Sequence, residues 1–351
     1  MLDNAGMNVE VTARGEAHAF ECAVGENILY AGLRSGLALP YECGTGTCGT
    51  CKARLGSGET ASGWPEAPGY TGLKPGEILM CQTLPAGHCA LEVNAVVTRV
   101  PAEACVPRHL GAVIRRRTML THDVATLDVD LDQPLEFEAG QFMVMTAPGI
   151  SGGRAYSMVN YDRPAARLAF VVKAKPGGRF SEWFFGDGVD GTRVHLFGPL
   201  GHATFGPEIK KDLLCVAGGS GIAGMMAILA RACQARHFDE HQGYLFFGVR
   251  TARDLFFVDE LKAFKGVYPE RLHVTLALSD EDVDAGLARA HPEIAFDKGF
   301  VHAVAGAHMK GKFANVRAYA AGPPPMVSAT LRMLLLQGKL KSADIRYDKF
   351  S

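Results

Sequence analysis

The sequence predicts a multidomain chain of the α+β and α/β classes, and three observations carry this prediction. Residues 1–100 combine short strands with one early helix, which indicates a helix packed on a small sheet. Residues 108–207 consist almost entirely of strand patterns separated by turns, as in an antiparallel β-barrel. Residues 208–351 repeat strand, turn and helix, which favours a parallel sheet covered on both faces.

Length and composition fit several globular domains. A chain of 351 residues has room for domains of roughly 100–200 residues each, and 48% hydrophobic with 21% charged residues describes ordinary cores. The formal net charge is −1, so the chain lacks the overall excess of basic residues that is typical of nucleic-acid-binding proteins. No apolar run reaches the ~18 residues of a membrane span, and the N-terminus lacks the pattern of a signal peptide. We therefore expect a cytoplasmic protein that binds neither nucleic acid nor membranes.

The first domain is predicted over residues 1–100. Strands at 7–12 and 17–22 turn at Arg14-Gly15, and a helix follows from Glu26 to Ser35. Two strands, a helix across them and further short strands are the element order of a β-grasp ferredoxin domain. The further strands are predicted at 52–55, 78–82 and 90–93.

Four cysteines in this domain have the spacing C-x4-C-x2-C followed by C-x29-C, which is the plant-type [2Fe–2S] pattern. Glycines around the first three suit a loop that must wrap a cluster and direct N–H groups at its sulfurs. Zinc and a disulfide pair are the alternatives, but neither a second C-x2-C nor paired histidines follow. The predicted ligands are Cys43, Cys48, Cys51 and Cys81.

Five further cysteines fall outside this pattern and are predicted to be small buried residues. The odd total of nine argues against a secreted disulfide framework and favours a reducing compartment. These five are Cys22, Cys89, Cys105, Cys215 and Cys233.

Residues 101–107, between two prolines, are predicted to form a linker, and the β-barrel domain is predicted over 108–207. In the barrel, Arg154-Ala155-Tyr156-Ser157 offers a cation for a pyrophosphate, an aromatic ring for a ring system and a hydroxyl for a flavin nitrogen. Gly177-Gly178-Arg179-Phe180-Ser181 opens a short helix, whose N–H groups suit a phosphate. Gly198-Pro199-Leu200-Gly201 closes the barrel pattern. A plain turn is the alternative for each motif alone, but their order after an iron–sulfur domain favours a flavin site.

The last domain, predicted over 208–351, has two glycine turns after its strands. Residues 217–224 match G-x-G-x-x-G between a strand and a helix. The second strand ends Phe247-Gly248-Val249-Arg250, without the acid that a Rossmann fingerprint expects, so the sheet indicates a different nucleotide-binding family. A second turn, residues 321–326, lies at the carboxyl edge of the sheet, where α/β proteins bind ligands. Strands are predicted at 213–217, 244–248, 272–278 and 317–320, and helices at 222–236, 258–265 and 325–337.

With these motifs in place, the whole chain resembles the reductase components of bacterial multicomponent oxygenases. These belong to the ferredoxin–NADP reductase superfamily, in the branch with an N-terminal plant-type ferredoxin domain. The segment Trp64-Pro65-Glu66-Ala67-Pro68-Gly69 is also similar to reductases of carbazole dioxygenase and toluene monooxygenase type. The resemblance implies an oxidoreductase that passes electrons from NADH through FAD and a [2Fe–2S] cluster to a partner oxygenase.

The resemblance also implies residue roles. Arg154 would hold the FAD pyrophosphate, Tyr156 would pack on the flavin, and Ser157 would bond near flavin N5 as the catalytic residue. The ribitol-adenine path of FAD would run along Val171, Val172 and Lys173, with its phosphates at Gly178, Arg179, Phe180 and Ser181. The NADH pyrophosphate would lie in Gly219, Ser220 and Gly221, and the nicotinamide beside Gly322 and Pro323.

Some positions depart from the family pattern. Ala321 stands where many relatives have cysteine, and Gly224 where many have proline. Both bear on the rate of hydride transfer and not on the reaction class, because that step depends mainly on how the two rings are positioned. The superfamily often places a C-terminal aromatic against the flavin, for which Tyr347 and Phe350 are candidates, with plain packing as the alternative.

We expect NADH rather than NADPH as the donor. Arg250 would attract a 2′-phosphate and Asp254 would repel it, unless the two side chains simply pair with each other. The expected acceptor is an oxygenase or hydroxylase component, a Rieske dioxygenase or diiron monooxygenase of aromatic hydrocarbon catabolism, reached directly or through an intermediate ferredoxin. A cytochrome P450 is the alternative acceptor. A redox-sensing module, or a terminal flavin oxidase or ferric reductase, would be a different function.

Overall fold

The structure is a computed structural model that describes residues 6–101 and 103–349. Its N-terminal part is a mixed sheet crossed by one helix. The elements are β1 (Met7–Ala13), β2 (Glu16–Cys22), α1 (Ile28–Arg34), β3 (Lys52–Ser57), β4 (Thr60–Ser62), β5 (Glu77–Leu79), β6 (Thr83–Pro85) and β7 (Cys89–Val93). Five strands form one sheet in the order β2-β1-β7-β3-β5, and β4 pairs with β6. Strand β1 is antiparallel to β2 and parallel to β7, as the β-grasp prediction requires.

Local chemistry sets the element ends here. Helix α1 begins at Ile28 because the side chain of Asn27 accepts a hydrogen bond from the Tyr30 N–H at 2.9 Å, which caps the helix. The strand predicted over 78–82 is wrong beyond Leu79, since Met80–Gln82 form a 3-10 turn. Cys81 therefore lies in a turn between the short strands β5 and β6.

The middle of the chain forms a six-stranded sheet in the order β11-β10-β13-β8-β9-β12, the antiparallel half-barrel that the sequence predicts. Strands β9 and β12 pair antiparallel. Alternating residues of β9, such as Leu127 and Val129, are buried while their neighbours are more exposed, so one face of the sheet covers the core. The elements are β8 (Arg108–Met119), β9 (Val124–Leu135), β10 (Phe142–Thr146), β11 (Arg154–Ser157), β12 (Ala165–Lys173), α2 (Arg179–Phe185) and β13 (Arg193–Leu200).

The C-terminal part is a six-stranded parallel sheet in the order β17-β16-β15-β14-β18-β19. Its central strand β14 is buried over nearly its whole length, as expected when helices cover both faces. The elements are β14 (Asp212–Gly218), α3 (Ile222–Gln234), β15 (Gly243–Val249), α4 (Val258–Val267), β16 (Leu272–Leu278), α5 (Ala285–Ala290), β17 (Ala295–Lys298), α6 (Val301–His308), β18 (Val316–Gly322), α7 (Pro324–Leu336) and β19 (Ile345–Lys349).

The chain packs as two compact units. Among the described residues, the first contains everything up to Ala112 together with Met143–Ala155 and Arg193–Leu200. The second contains Val113–Phe142, Tyr156–Thr192 and the chain from Gly201 onward. Strands of the half-barrel sheet therefore contribute to both units. In the described part of the chain, no helix combines the length and apolar character needed to cross a membrane.

Candidate redox site

Four thiols meet where the loop after α1 faces the turn after β5. The Sγ atoms of Cys51 and Cys81 lie 3.2 Å apart without a disulfide. The thiols of Cys43 and Cys48 interact: Cys48 lowers the pKa of Cys43 to about 4 against the effect of burial, whereas Cys43 and burial together raise the pKa of Cys48. The same relation lowers the pKa of Cys51 and raises that of Cys81. In each pair, one thiol is thus more acidic than its partner.

The loop backbone is shaped around these sulfurs. The N–H of Thr45 donates to Cys43 Sγ at 3.4 Å, and the N–H of Thr50 donates to Cys48 Sγ at 3.4 Å. A second segment closes on the loop where the Gly69 N–H donates to the Gly46 carbonyl at 2.8 Å. A Cβ at Gly69 would lie 2.6 Å from that oxygen, so only glycine permits this approach.

The donor set fits a thiolate-held [2Fe–2S] cluster, since four sulfurs converge and loop N–H groups stabilise negative charge on them. The remaining cysteines have different surroundings. Cys22, Cys89 and Cys215 are buried, and burial raises the pKa of both Cys22 and Cys215 to about 12. Cys105 and Cys233 are half-buried, so two of the five are less enclosed than the sequence predicts.

Tyr30 and Glu26 make contacts around this loop and helix α1 within the first unit. The hydroxyl of Tyr30 donates to the Gly44 carbonyl at 2.9 Å, and its ring stacks on Phe197 of β13 at 3.9 Å between centroids. Glu26, just before α1, accepts from Arg34 and His109, each at 2.8 Å. No local sequence pattern indicates the contacts of Tyr30 with Phe197 or of Glu26 with His109, because these residues lie far apart in the chain.

Strand β11 consists of the four residues of the predicted flavin motif. The ring of Tyr156 lies 5.4 Å from that of Phe180 and 6.4 Å from that of Phe170. Ser157 is buried, and its hydroxyl makes no hydrogen bond to another described residue. An aromatic ring beside a buried hydroxyl that lacks a protein partner fits a flavin, whose ring stacks and whose nitrogens bond.

The second predicted motif divides into loop and core residues. Helix α2 begins at Arg179 after Gly178, as predicted. The Ser181 hydroxyl donates to the Lys175 carbonyl at 2.9 Å and accepts from the Lys175 N–H at 3.1 Å, so it fixes the loop that precedes the helix. Phe180 is buried against Tyr156. On β12, Val171 and Val172 are buried, and Lys173 pairs with Asp123 at 3.1 Å.

Arg154, at the start of β11, belongs to the first compact unit, whereas Tyr156 and Ser157 belong to the second. Its Nη1 donates to the Gly153 carbonyl at 2.9 Å, and no other hydrogen bond of this side chain occurs among the described residues. The guanidinium lies over the ring of Trp64, 5.0 Å from its centroid. A half-buried cation with unused donors fits a pyrophosphate.

The two glycine turns of the C-terminal part are neighbours. Strands β14 and β18 are paired, with Ala217 opposite Ala321, so Gly219–Gly221 and the turn at Gly322 follow at the same sheet edge. A Cβ at Gly221 would lie 2.3 Å from the Ala321 carbonyl, so glycine is required by the adjacent strand as well as by any phosphate. Gly224 on α3 faces Ser157, whose Cβ would be 3.5 Å from an added Cβ.

The end of β15 carries the residues expected to choose the nucleotide. Asp254 does not pair with Arg250; its carboxylate accepts from the Thr251 N–H at 3.0 Å and hydroxyl at 2.8 Å. It also faces His122 at 3.8 Å, while Arg250 is exposed. On β19, Tyr347 is 41% exposed beneath Lys349, and Phe350 lies outside the described residues.

Three family models match successive parts of the chain. They describe a 2Fe-2S iron-sulfur cluster binding domain over residues 11–86, an oxidoreductase FAD-binding domain over 111–205 and an oxidoreductase NAD-binding domain over 215–332. The fold and the thiol site therefore define an iron–sulfur flavoprotein oxidoreductase that uses a nicotinamide nucleotide.

Curated relatives extend this match to the full chain. The ferredoxin–NAD(P)+ reductase CarAd of Metapseudomonas resinovorans is 35% identical over 333 residues, covering 94% of this chain and 96% of the relative. The ferredoxin–NAD+ reductase component of an alkene monooxygenase system from Xanthobacter autotrophicus is 33% identical, covering 95% and 98%.

Solved structures give the same result. The ferredoxin reductase in carbazole 1,9a-dioxygenase superposes with a TM-score of 0.82 at 32% identity, over 98% of both chains. The Amycolatopsis cytochrome P450 reductase GcoB superposes with a TM-score of 0.77 at 29% identity, over 97% of this chain and 98% of that one. The chain belongs to the family of ferredoxin–NAD(P)+ reductase components of oxygenase systems.

Proposed function

We propose that this chain is the NADH-dependent reductase of a bacterial oxygenase system, in which electrons pass from NADH through FAD and a [2Fe–2S] cluster to an oxygenase component. The observation that carries the proposal is the convergence of Cys43, Cys48, Cys51 and Cys81 in one loop-and-turn site. When bound, FAD accepts two electrons as a hydride and releases them singly, which matches a one-electron cluster.

The protein's own residues supply placement and charge. We assign residues 1–100 to the cluster, 108–207 to FAD and 208–351 to NADH, with 101–107 as a linker. Ser157, which is buried beside the ring of Tyr156 on β11, is proposed to bond the flavin near N5, and Arg154 to hold the pyrophosphate. Gly219–Gly221, Gly322 and Pro323 are proposed to seat the NADH, since both turns share one carboxyl edge of the sheet.

The acceptor is proposed to be a Rieske dioxygenase or a diiron monooxygenase component of aromatic hydrocarbon catabolism. The similarity to the ferredoxin reductase in carbazole 1,9a-dioxygenase, at 32% identity, and to the reductase component of an alkene monooxygenase system, at 33% identity, supports this class. A cytochrome P450 is the second candidate, favoured by the similarity to GcoB over nearly the whole chain. None of the nine cysteines, all of them among the described residues, forms a disulfide, which supports a reducing, cytoplasmic setting.

The test separates flavin chemistry from cluster chemistry. We expect Cys81→Ser to abolish or sharply alter the EPR signal of the reduced cluster. The variant should retain NADH-dependent ferricyanide reduction, which needs only the flavin, and lose most cytochrome c reduction, which draws on the cluster. Steady-state assays with the two acceptors measure this split.

Cys89→Ser is the matched control, because Cys89 is also a buried thiol of the N-terminal part, lies on β7 and is outside the thiol site. It should leave the EPR signal and both activities unchanged. Equal loss of both activities in Cys81→Ser, with FAD still bound, would contradict the proposed order of electron transfer.

A further inference from the structure

A tryptophan in the iron–sulfur part of the chain covers the arginine that we assign to FAD. Trp64 follows β4, Arg154 opens β11, and both belong to the first compact unit. The guanidinium lies 5.0 Å from the ring centroid of Trp64, inside the ~6 Å range in which a cation is attracted to an aromatic face.

The indole also covers the turn that leads into Arg154. A Cβ at Gly152 would lie 2.9 Å from Cε3 of Trp64, and this glycine has a φ of +73°. The bare backbone of Gly152 therefore lies against the ring, where a side chain would not fit. Since Arg154 donates to the adjacent Gly153 carbonyl at 2.9 Å, its guanidinium is held between its own turn and the indole.

We propose that Trp64 is a positioning residue for FAD, which holds the Arg154 guanidinium ready for the pyrophosphate. This inference rests on the FAD role proposed above for Arg154. A free arginine loses rotamer freedom when it binds an anion, and one already stacked on an aromatic face loses less. FAD retention then depends on a segment of the iron–sulfur domain, although that segment supplies no ligand to the cluster.

The dissociation constant of FAD from the purified full-length protein tests the proposal, measured by the rise of flavin fluorescence on dilution. We expect Trp64→Leu to raise it about 10-fold, equivalent to about 1.4 kcal/mol. Trp64→Phe keeps an aromatic face and should fall between Trp64→Leu and the wild type. Excess FAD should restore ferricyanide reduction to the wild-type kcat, with an unchanged KM for NADH.

Tyr70→Phe is the matched control in the same segment. It removes only the hydrogen bond to the Ser62 hydroxyl at 2.8 Å, so the dissociation constant of FAD should not change. The cluster absorbance of every variant reports whether the first domain has folded.

A double-mutant cycle with Arg154→Ala separates the possible outcomes. If Trp64 acts through Arg154, Trp64→Leu should weaken FAD no further in the Arg154→Ala background. An undiminished effect there would show that Trp64 acts by general packing, and would overturn the positioning role. If Arg154→Ala weakens FAD but Trp64→Leu does not, the inference fails while the function stands. If Arg154→Ala leaves FAD binding unchanged, the assignment of Arg154 is itself wrong, and the inference falls with it.

Discussion

Glu26 is a buried carboxylate that two basic side chains hold in its charged form. Its side chain is 4% exposed, and it lies 2.8 Å from both Arg34 and His109. Burial disfavours the charged form, but the hydrogen bonds from His109 and Arg34 outweigh burial and lower the pKa of Glu26 to about 2. Glu26 thus links helix α1, through Arg34, to strand β8, through His109.

This pKa gives a pH dependence of stability. Because the folded pKa lies below the ordinary value of 4.5, charged Glu26 stabilises the fold above that pH, and the contribution is lost as the pH falls toward about 2. We expect Glu26→Gln to lower the urea midpoint near neutral pH and to match the wild type progressively better in acid. Urea unfolding at a series of pH values measures this.

Glu16→Gln provides the control, since Glu16 is exposed on β2. It should change the free energy of unfolding by at most about a few tenths of a kcal/mol at any pH. A Glu26→Gln effect that stays constant with pH would mean that shape, and not charge, is what Glu26 contributes.

At the scale of elements, α1 holds the cluster loop through Tyr30. The helix is only Ile28–Arg34, yet Tyr30 contacts both the Gly44 carbonyl of the loop and Phe197 of β13. The two rings are nearly parallel, at 10°, and 3.9 Å apart. Tyr30 therefore joins the helix to the loop by one hydrogen bond and to β13 by one aromatic stack, and substitutions can separate the two contacts.

We expect Tyr30→Phe to lose the hydrogen bond alone, at a cost of about 1 kcal/mol in unfolding free energy. Tyr30→Leu also loses the stack and should cost about 3 kcal/mol. Both variants should exchange amide hydrogens faster in the peptide that covers residues 41–52, as measured by mass spectrometry. Tyr268→Phe, in the C-terminal part, should leave that exchange unchanged. Equal effects of Phe and Leu would show that the hydrogen bond contributes everything and the stack nothing.

At the scale of the whole molecule, the sequence predicts those strands and helices whose burial leaves a regular pattern of apolar residues. The continuous apolar run of β14 and the alternation of β9 predict the two larger sheets, because each pattern matches a burial geometry. Strand β17 buries little of its surface at the sheet edge, so its pattern is weak and the prediction misses it. Strand β19 and helix α6 are missed as well.

The sequence predicts the candidate site less completely, for a physical reason. The cysteine spacing and the glycine turns are local signals, whereas the contact of Trp64 with Arg154 joins residues far apart in the chain. Gly221 is a second example. The Ala321 carbonyl of the neighbouring strand leaves no room for a side chain at Gly221, and a local sequence pattern cannot indicate that contact. A Gly221→Val variant would therefore disturb the sheet edge, and it is a poor probe of NADH binding alone.

The choice between NADH and NADPH is better tested at the end of β15. Asp254 is fixed by Thr251, so a negative charge is held near the expected ribose, whereas Arg250 is exposed and does not pair with it. We expect a higher kcat/KM for NADH than for NADPH. Asp254→Asn keeps an acceptor for the Thr251 hydroxyl but removes the charge, and should raise kcat/KM for NADPH about 5-fold, with little change for NADH.

Arg250→Ala, the control, should change neither value by more than about 2-fold, because an exposed charge contributes little. Steady-state kinetics with both nucleotides decides the question: a wild-type preference for NADPH would overturn the NADH assignment, and a large loss of NADPH activity in Arg250→Ala would make that arginine a 2′-phosphate ligand.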